Sequence, residues 1–122
     1  MGSIELFWEE QSRWSQATFG LDSERGPAGP IKHLKKEIEE VTQSLNRVAV
    51  LNGVWYPSFE YEHLKEEMAD LLFLVFDAAR RSGMTLDDLS DSAFRKLEKN
   101  KKRTWNKPVD GQPCEHVRGE HD

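Results

Sequence analysis

His33-Leu34-Lys35-Lys36-Glu37-Ile38-Glu39-Glu40-Val41 and His63-Leu64-Lys65-Glu66-Glu67-Met68-Ala69-Asp70-Leu71 align without a gap. A histidine opens each stretch, and each sets two carboxylates three residues apart, Glu37 and Glu40 in the first, Glu67 and Asp70 in the second. Residues three and four apart are neighbours on a helix surface, so both stretches read as helix with an acid pair on one flank.

The apolar residues around the copies extend them. Ile31, Leu34, Ile38, Val41, Leu45 and Val48 recur at spacings of three and four, which predicts an amphipathic helix from Pro30 to about Asn52-Gly53. At about 100° per residue, Glu37 and Glu40 fall beside that stripe with His33 and Ser44, at the edge of the core. After a turn-rich loop from Gly53 to Pro57, Ser58 is a cap and Glu60 and Glu62 suit a helix N-terminus. The next helix is predicted from Phe59 to Ser82, with the stripe Leu64, Met68, Leu71, Val75 and Ala78 and the second acid pair on the equivalent flank. Leu71 to Phe76 is apolar all round, so it needs cover on both sides, and a subunit interface is the expected cover.

Two further helices flank this pair. Residues 4 to 19 carry Phe7, Trp8, Gln11, Trp14, Ser15 and Thr18 at helical spacing, and Gly20 stops them. Such aromatics form core or a stacking platform; Trp14 and Phe19, nearest the loop that follows, are the candidates for ligand contact, with Gln11 and Ser15 as polar base readers. The loop from Leu21 to Pro30 is broken by Gly and Pro and holds one cation, Arg25. After Gly83, Thr85 caps a last helix with the stripe Leu86, Leu89, Ala93 and Leu97, running to about Trp105. Lys96, Asn100 and Arg103 share one flank of it, either solvated or placed to neutralise phosphate. From Asn106 the chain is polar and without apolar period, which predicts one domain over residues 1–105 and a flexible tail over 106–122.

Composition limits the function classes. The chain has 122 residues, 32% of them charged, and a formal charge of −5, which disfavours binding to a nucleic acid polymer through phosphate neutralisation. The longest apolar run is far too short for a bilayer, and the N-terminus lacks a basic region before an apolar one, so a cytoplasmic protein without a membrane partner is expected. Cys114 is the only cysteine, which leaves no internal disulfide and reads as an incidental thiol.

Any one acid pair reads most simply as a solvated helix face; two pairs at matching phase do not. If the two helices pack antiparallel, four acids face one cleft, and Mg²⁺, with Mn²⁺ as substitute, is the natural neutraliser of an all-oxygen site. Zinc would want Cys or His, and His33 and His63 sit one turn before the acids. Di-iron bundles use two Glu-x-x-His motifs, and only Glu60 to His63 has that spacing.

With acids, loop and basic flank together, the chain resembles the MazG-like all-α nucleoside triphosphate pyrophosphohydrolases over residues 8 to 105. That superfamily's Glu-Glu-x-x-Glu and Glu-x-x-Asp read here as Lys36-Glu37-x-x-Glu40 and Glu67-x-x-Asp70, with Lys36 replacing the first Glu. Trp14-Ser-Gln-Ala-Thr-Phe-Gly20, Arg25-Gly-Pro-Ala-Gly-Pro30, His33-Leu34 and Lys99-Asn100-x-x-Arg103-x-Trp105 look like the phage and bacterial dATP/dGTP diphosphohydrolase branch, which includes MazZ-type enzymes.

The resemblance implies a four-helix bundle assembling as a dimer or dimer of dimers in a bacterial or phage-infected host cytosol. It implies Mg²⁺ on Glu37, Glu40, Glu67 and Asp70, and hydrolysis of dGTP or dATP to monophosphate and pyrophosphate. Glu37, Glu40 and Glu66 are then candidates to orient the attacking water. Trp14, Phe19, Arg25, His33, Lys96, Asn100 and Arg103 are candidates for substrate contact. The choice among dGTP, dATP and 2-aminoadenine nucleotides stays open. The competing reading is a non-enzymatic helical dimer that docks a protein partner and uses its acids for solubility.

Overall fold

The computed structural model describes residues 2–47, 50–51, 54–55 and 59–103, with side chains over 2–45 and 61–103. It is all-α in architecture, with four helices: α1 (Ile4–Phe19), α2 (Ala28–Arg47), α3 (Phe59–Arg81) and α4 (Leu86–Lys102). Among the described residues no helix is long and apolar enough to cross a membrane. The chain divides into two compact units, Met1–Thr85 and Leu86–Asp122.

In the first unit α1 starts where Ser3 accepts the Leu6 N–H at 3.1 Å, a side-chain cap with Glu5 behind it in the first turn. It stops at Gly20, whose φ of +112° disfavours any residue with a Cβ. A short 3-10 turn, Asp22–Glu24, leads to α2, where Pro30 sits in the first turn, the part of a helix that needs no N–H from it. At the far end of α3, the Gly83 N–H bonds Arg80 at 2.9 Å and the Met84 N–H bonds Ala79 at 3.0 Å, with Gly83 at φ +91°. That is a Schellman close, and it fixes the stop that Gly83 predicts.

The predicted second helix is corrected at its end, Arg47 instead of Asn52-Gly53. Beyond it β1 (Val50–Leu51) and β2 (Val54–Trp55) pair antiparallel, Val50 opposite Trp55 and Leu51 opposite Val54, where a helix end and an irregular loop were expected. The residues themselves explain the change. Val and Trp favour a pleated backbone, and Asn-Gly between apolar residues is the strongest short hairpin signal.

Antiparallel packing of α2 on α3 follows from the contacts. Ser44 meets Glu67, while Glu37 and Pro30, earlier in α2, share a cavity with Asp70 and Asp77, later in α3. The covered face of α2 is Pro30, Leu34, Glu37, Val41 and Ser44, with Ser44 fully buried. The predicted apolar stripe is therefore corrected too: Ile31, Ile38 and Leu45 are 51%, 50% and 39% exposed. One edge of the stripe, Leu34 and Val41, turns to α3 together with Glu37 and Ser44.

Helix α1 lies on another side of α3. Phe7 meets Phe73 and Phe76 at ring centroid distances of 5.2 and 5.6 Å, and Trp8 meets Phe76 at 4.7 Å. Each such pair adds about 0.5–1.5 kcal/mol beyond area burial. Phe76, Ala78 and Ala79 are buried here. Part of the cover that Leu71 to Phe76 requires thus comes from within the chain, and Met68, Leu72 and Val75 stay exposed.

In the second unit α4 carries Asp87 and Asp88 in its first turn and Lys99, Lys101 and Lys102 in its last, charges that oppose the helix dipole at both ends. Residues 106–122, read as a tail, lie outside the described residues.

Candidate active site

A cavity of about 470 Å³ opens in the first unit, within the size range of small-molecule sites. Trp14 and Phe19 of α1, Arg25 of the loop, His33 and Glu37 of α2, and Asp70, Phe73, Asp77 and Arg81 of α3 line it, with Gly29, Pro30 and Leu74. Each helix contributes through helical spacing. His33 and Glu37 are one turn apart, while Asp70, Leu74, Asp77 and Arg81 step by four, three and four along one face of α3.

Trp14 and Phe19 are half-exposed and meet edge to face at 5.5 Å, and Trp14 lies 6.3 Å from Phe73. Their exposed ring faces suit a planar apolar group. Arg25 is held to the rim by donating to the Phe19 carbonyl.

The internal repeat survives as geometry. His33 Nε2 lies 3.1 Å from Glu37 Oε1, and His63 Nε2 lies 3.5 Å from Glu67 Oε1, one turn apart in both. The acids then diverge. Glu37 and Asp70 line the cavity from facing helices, while Glu67, 6% exposed, accepts from the buried Ser44 hydroxyl and is not part of the lining. Glu40 is exposed and also off the cavity, because it lies about 60° round the helix from Glu37.

The expected single cleft of four acids is therefore met by two, and among the described residues no group of three or more His, Cys, Asp and Glu side chains is arranged to hold a metal ion. Of the repeat's acids, the two that face the cavity, Glu37 and Asp70 from two helices, suit a hard, oxygen-preferring cation. Glu66, considered for water activation, has a side chain 82% exposed.

Behind the cavity a polar network ties α1, the loop and α3 together. Gln11, 3% exposed, donates to Asp77 Oδ1 at 2.9 Å and accepts from Arg80. Arg80 also donates to Asp77 Oδ1 and, at 3.0 Å, to Asp22 Oδ2, with Trp8 5.5 Å from its guanidinium. Arg81, with a side chain 4% exposed, has its Nε 3.6 Å from Asp22 Oδ1. Gln11 is thus spent on the fold and not on a base, and Ser15 is fully buried, which corrects their reading as base contacts.

Of the residues predicted to touch substrate, the cavity gathers Trp14, Phe19, Arg25 and His33. Lys96, Asn100 and Arg103 belong to the second unit, where Arg103 donates to Asn100 Oδ1 at 3.2 Å and Lys96 is exposed. Phe73, Leu74, Asp77 and Arg81 were missed. Extending the three-and-four spacing forward from Asp70 would have reached Leu74, Asp77 and Arg81.

A family model described as dATP/dGTP pyrophosphohydrolase matches residues 61–122, in agreement with the resemblance read from the sequence. It takes in Glu67 and Asp70, all of α4 and the stretch 106–122, and it leaves α2 outside. The Eaa protein of Salmonella phage P22 is 42% identical over 52 residues, a match that takes in 43% of this chain and 16% of that protein. The chain thus spans about a sixth of the length of that curated relative. No solved structure matches it.

Proposed function

This chain belongs to the dATP/dGTP pyrophosphohydrolase family, and from that premise we propose that it hydrolyses a purine deoxynucleoside triphosphate to the monophosphate and pyrophosphate. The anhydride bond between the α and β phosphates breaks, water supplies the oxygen, and pyrophosphate leaves. One observation carries the reading: Glu37 and Asp70, from two different helices, line one cavity together with the rings of Trp14 and Phe19. Carboxylates and aromatic faces in one cavity match a ligand with a charged end and a planar end.

Two carboxylates would repel a triphosphate unless a cation lay between them. Glu37 and Asp70, which line the cavity, would hold Mg²⁺, or Mn²⁺ in its place; Glu40 and Glu67, the other two acids of the repeat, lie off that lining. A bound divalent ion supplies charge neutralisation for the phosphates and lowers the pKa of a bound water. Of the three carboxylates considered for orienting that water, Glu37 is the one that lines the cavity, with His33 fixing it from one turn before. Ser44 does the same for Glu67 from α2. Positioning and charge stabilisation then do the chemistry without a covalent nucleophile.

The test is pyrophosphate release from a panel of deoxy- and ribonucleoside triphosphates with Mg²⁺ and with Mn²⁺. Turnover of dGTP or dATP that stops on chelation is expected; no release from any nucleotide sinks the reading. Glu67→Gln and Asp70→Asn should each cut turnover by at least about 100-fold with an unchanged circular dichroism spectrum. Wild-type rates in both variants would overturn the carboxylate assignment.

A further inference from the structure

Asp77 and Arg81 stand in the cavity wall, yet neither is accounted for by the acid pair or by the aromatic rim. Asp77 is 7% exposed and lines the cavity. Its Oδ1 takes both described hydrogen bonds, from Gln11 and from Arg80, and among the described residues Oδ2 takes none. The carboxylate is thus clamped from behind through one oxygen, which leaves the other for a ligand. Arg81 lines the same cavity with a side chain 4% exposed. Its Nε makes no hydrogen bond, and its nearest described carboxylate oxygen, Asp22 Oδ1 at 3.6 Å, makes none either. A guanidinium has five N–H donors, and one this buried normally uses them.

Position says what part of a nucleotide these two groups meet. Asp77 lies seven residues beyond Asp70 on the same helix face, about 10 Å along the axis. If the phosphates lie at Glu37 and Asp70, a nucleotide that runs along this face of α3 brings the far edge of its base to Asp77 and Arg81, which line the same cavity.

We propose that Asp77 and Arg81 form the base-reading end of the cavity and select guanine over adenine. This rests on the reading of the site as a purine nucleotide hydrolase. Guanine presents two donors, N1–H and the N2 amino group, which a carboxylate accepts, and two acceptors, O6 and N7, which a guanidinium donates to. Adenine reverses the pattern where it matters. Its N1 is an acceptor that a carboxylate repels, and its N6 amino group is a donor that a guanidinium repels. A buried carboxylate and a buried guanidinium in one wall therefore discriminate by leaving a carboxylate oxygen and guanidinium N–H donors without hydrogen-bond partners against the wrong purine.

The experiment compares kcat/KM for dGTP, dITP and dATP in the wild type, Asp77→Asn and Arg81→Lys. The wild type should prefer dGTP to dATP, with dITP, which lacks the N2 amino group, between them. Asp77→Asn keeps an oxygen for Gln11 and Arg80, and it should lower the dGTP to dATP ratio by about ten- to a hundredfold. Arg81→Lys loses the bidentate fork and should lower the same ratio. A wild type that prefers dATP, or variants that slow both nucleotides equally, would overturn the assignment while leaving the hydrolase reading in place. A wild type with no nucleotide turnover would remove the hydrolase reading itself. If Asp77→Asn fails to fold, the ratio in Arg81→Lys decides.

Discussion

Gln11 shows how much one side chain does in a chain of this size. It reaches from α1 to Asp77 and Arg80 of α3, and all three side chains are withdrawn from solvent. Gln11→Ala takes one of two donors from Asp77 Oδ1 and leaves an Arg80 N–H unmatched, and the unfolding free energy should fall by about 2 kcal/mol in a urea titration. A loss under about 0.5 kcal/mol would mean that the network is wet and adaptable. Glu67 makes the opposite point. Its side chain is nearly as buried, but its described partners are a hydroxyl and a histidine, Ser44 and His63. Glu67→Gln keeps an oxygen for Ser44, so it separates turnover from stability in a way that an alanine would not.

At the scale of elements, the ends are set by single residues and the faces by neighbours. Gly83 closes α3 at positive φ, and a Cβ added there meets no atom within 4 Å. Gly83→Ala therefore tests backbone conformation alone and should cost about 1 kcal/mol, read as a drop in Tm. The helices and their stops were legible because capping and three-and-four spacing are local: Ser3, Gly20, Gly83 and the start of α3 fall where the residues put them. The end of α2 was missed because its apolar period runs on to Val48, while the Val, Trp and Asn-Gly chemistry beyond it argues for a hairpin.

For the whole molecule, the exposed row Ile31, Ile38 and Leu45 on α2, with Met68, Leu72 and Val75 on α3, is the feature that a lone chain leaves unexplained. Large apolar side chains in rows are what an association surface needs. A dimer or a larger assembly is expected by light scattering after size exclusion. Ile38→Glu with Met68→Glu should shift the protein to monomer, and a wild type that is already monomeric would refute the expectation.

The sequence by itself determined the all-α class, the four helices, the repeated His and acid spacing, and the family, because each of these is carried by residues near one another in the chain. Only the tertiary structure decided which acids meet. Glu37 joins Asp70 at a cavity, while Glu67 turns to Ser44, since antiparallel packing brings α2 onto α3 through the face that carries Leu34, Glu37, Val41 and Ser44. It also decided that Gln11 is structural and that Asp77 and Arg81 reach the cavity. Those roles depend on the rotation of one helix against another, and a helical period fixes a face without fixing what that face meets.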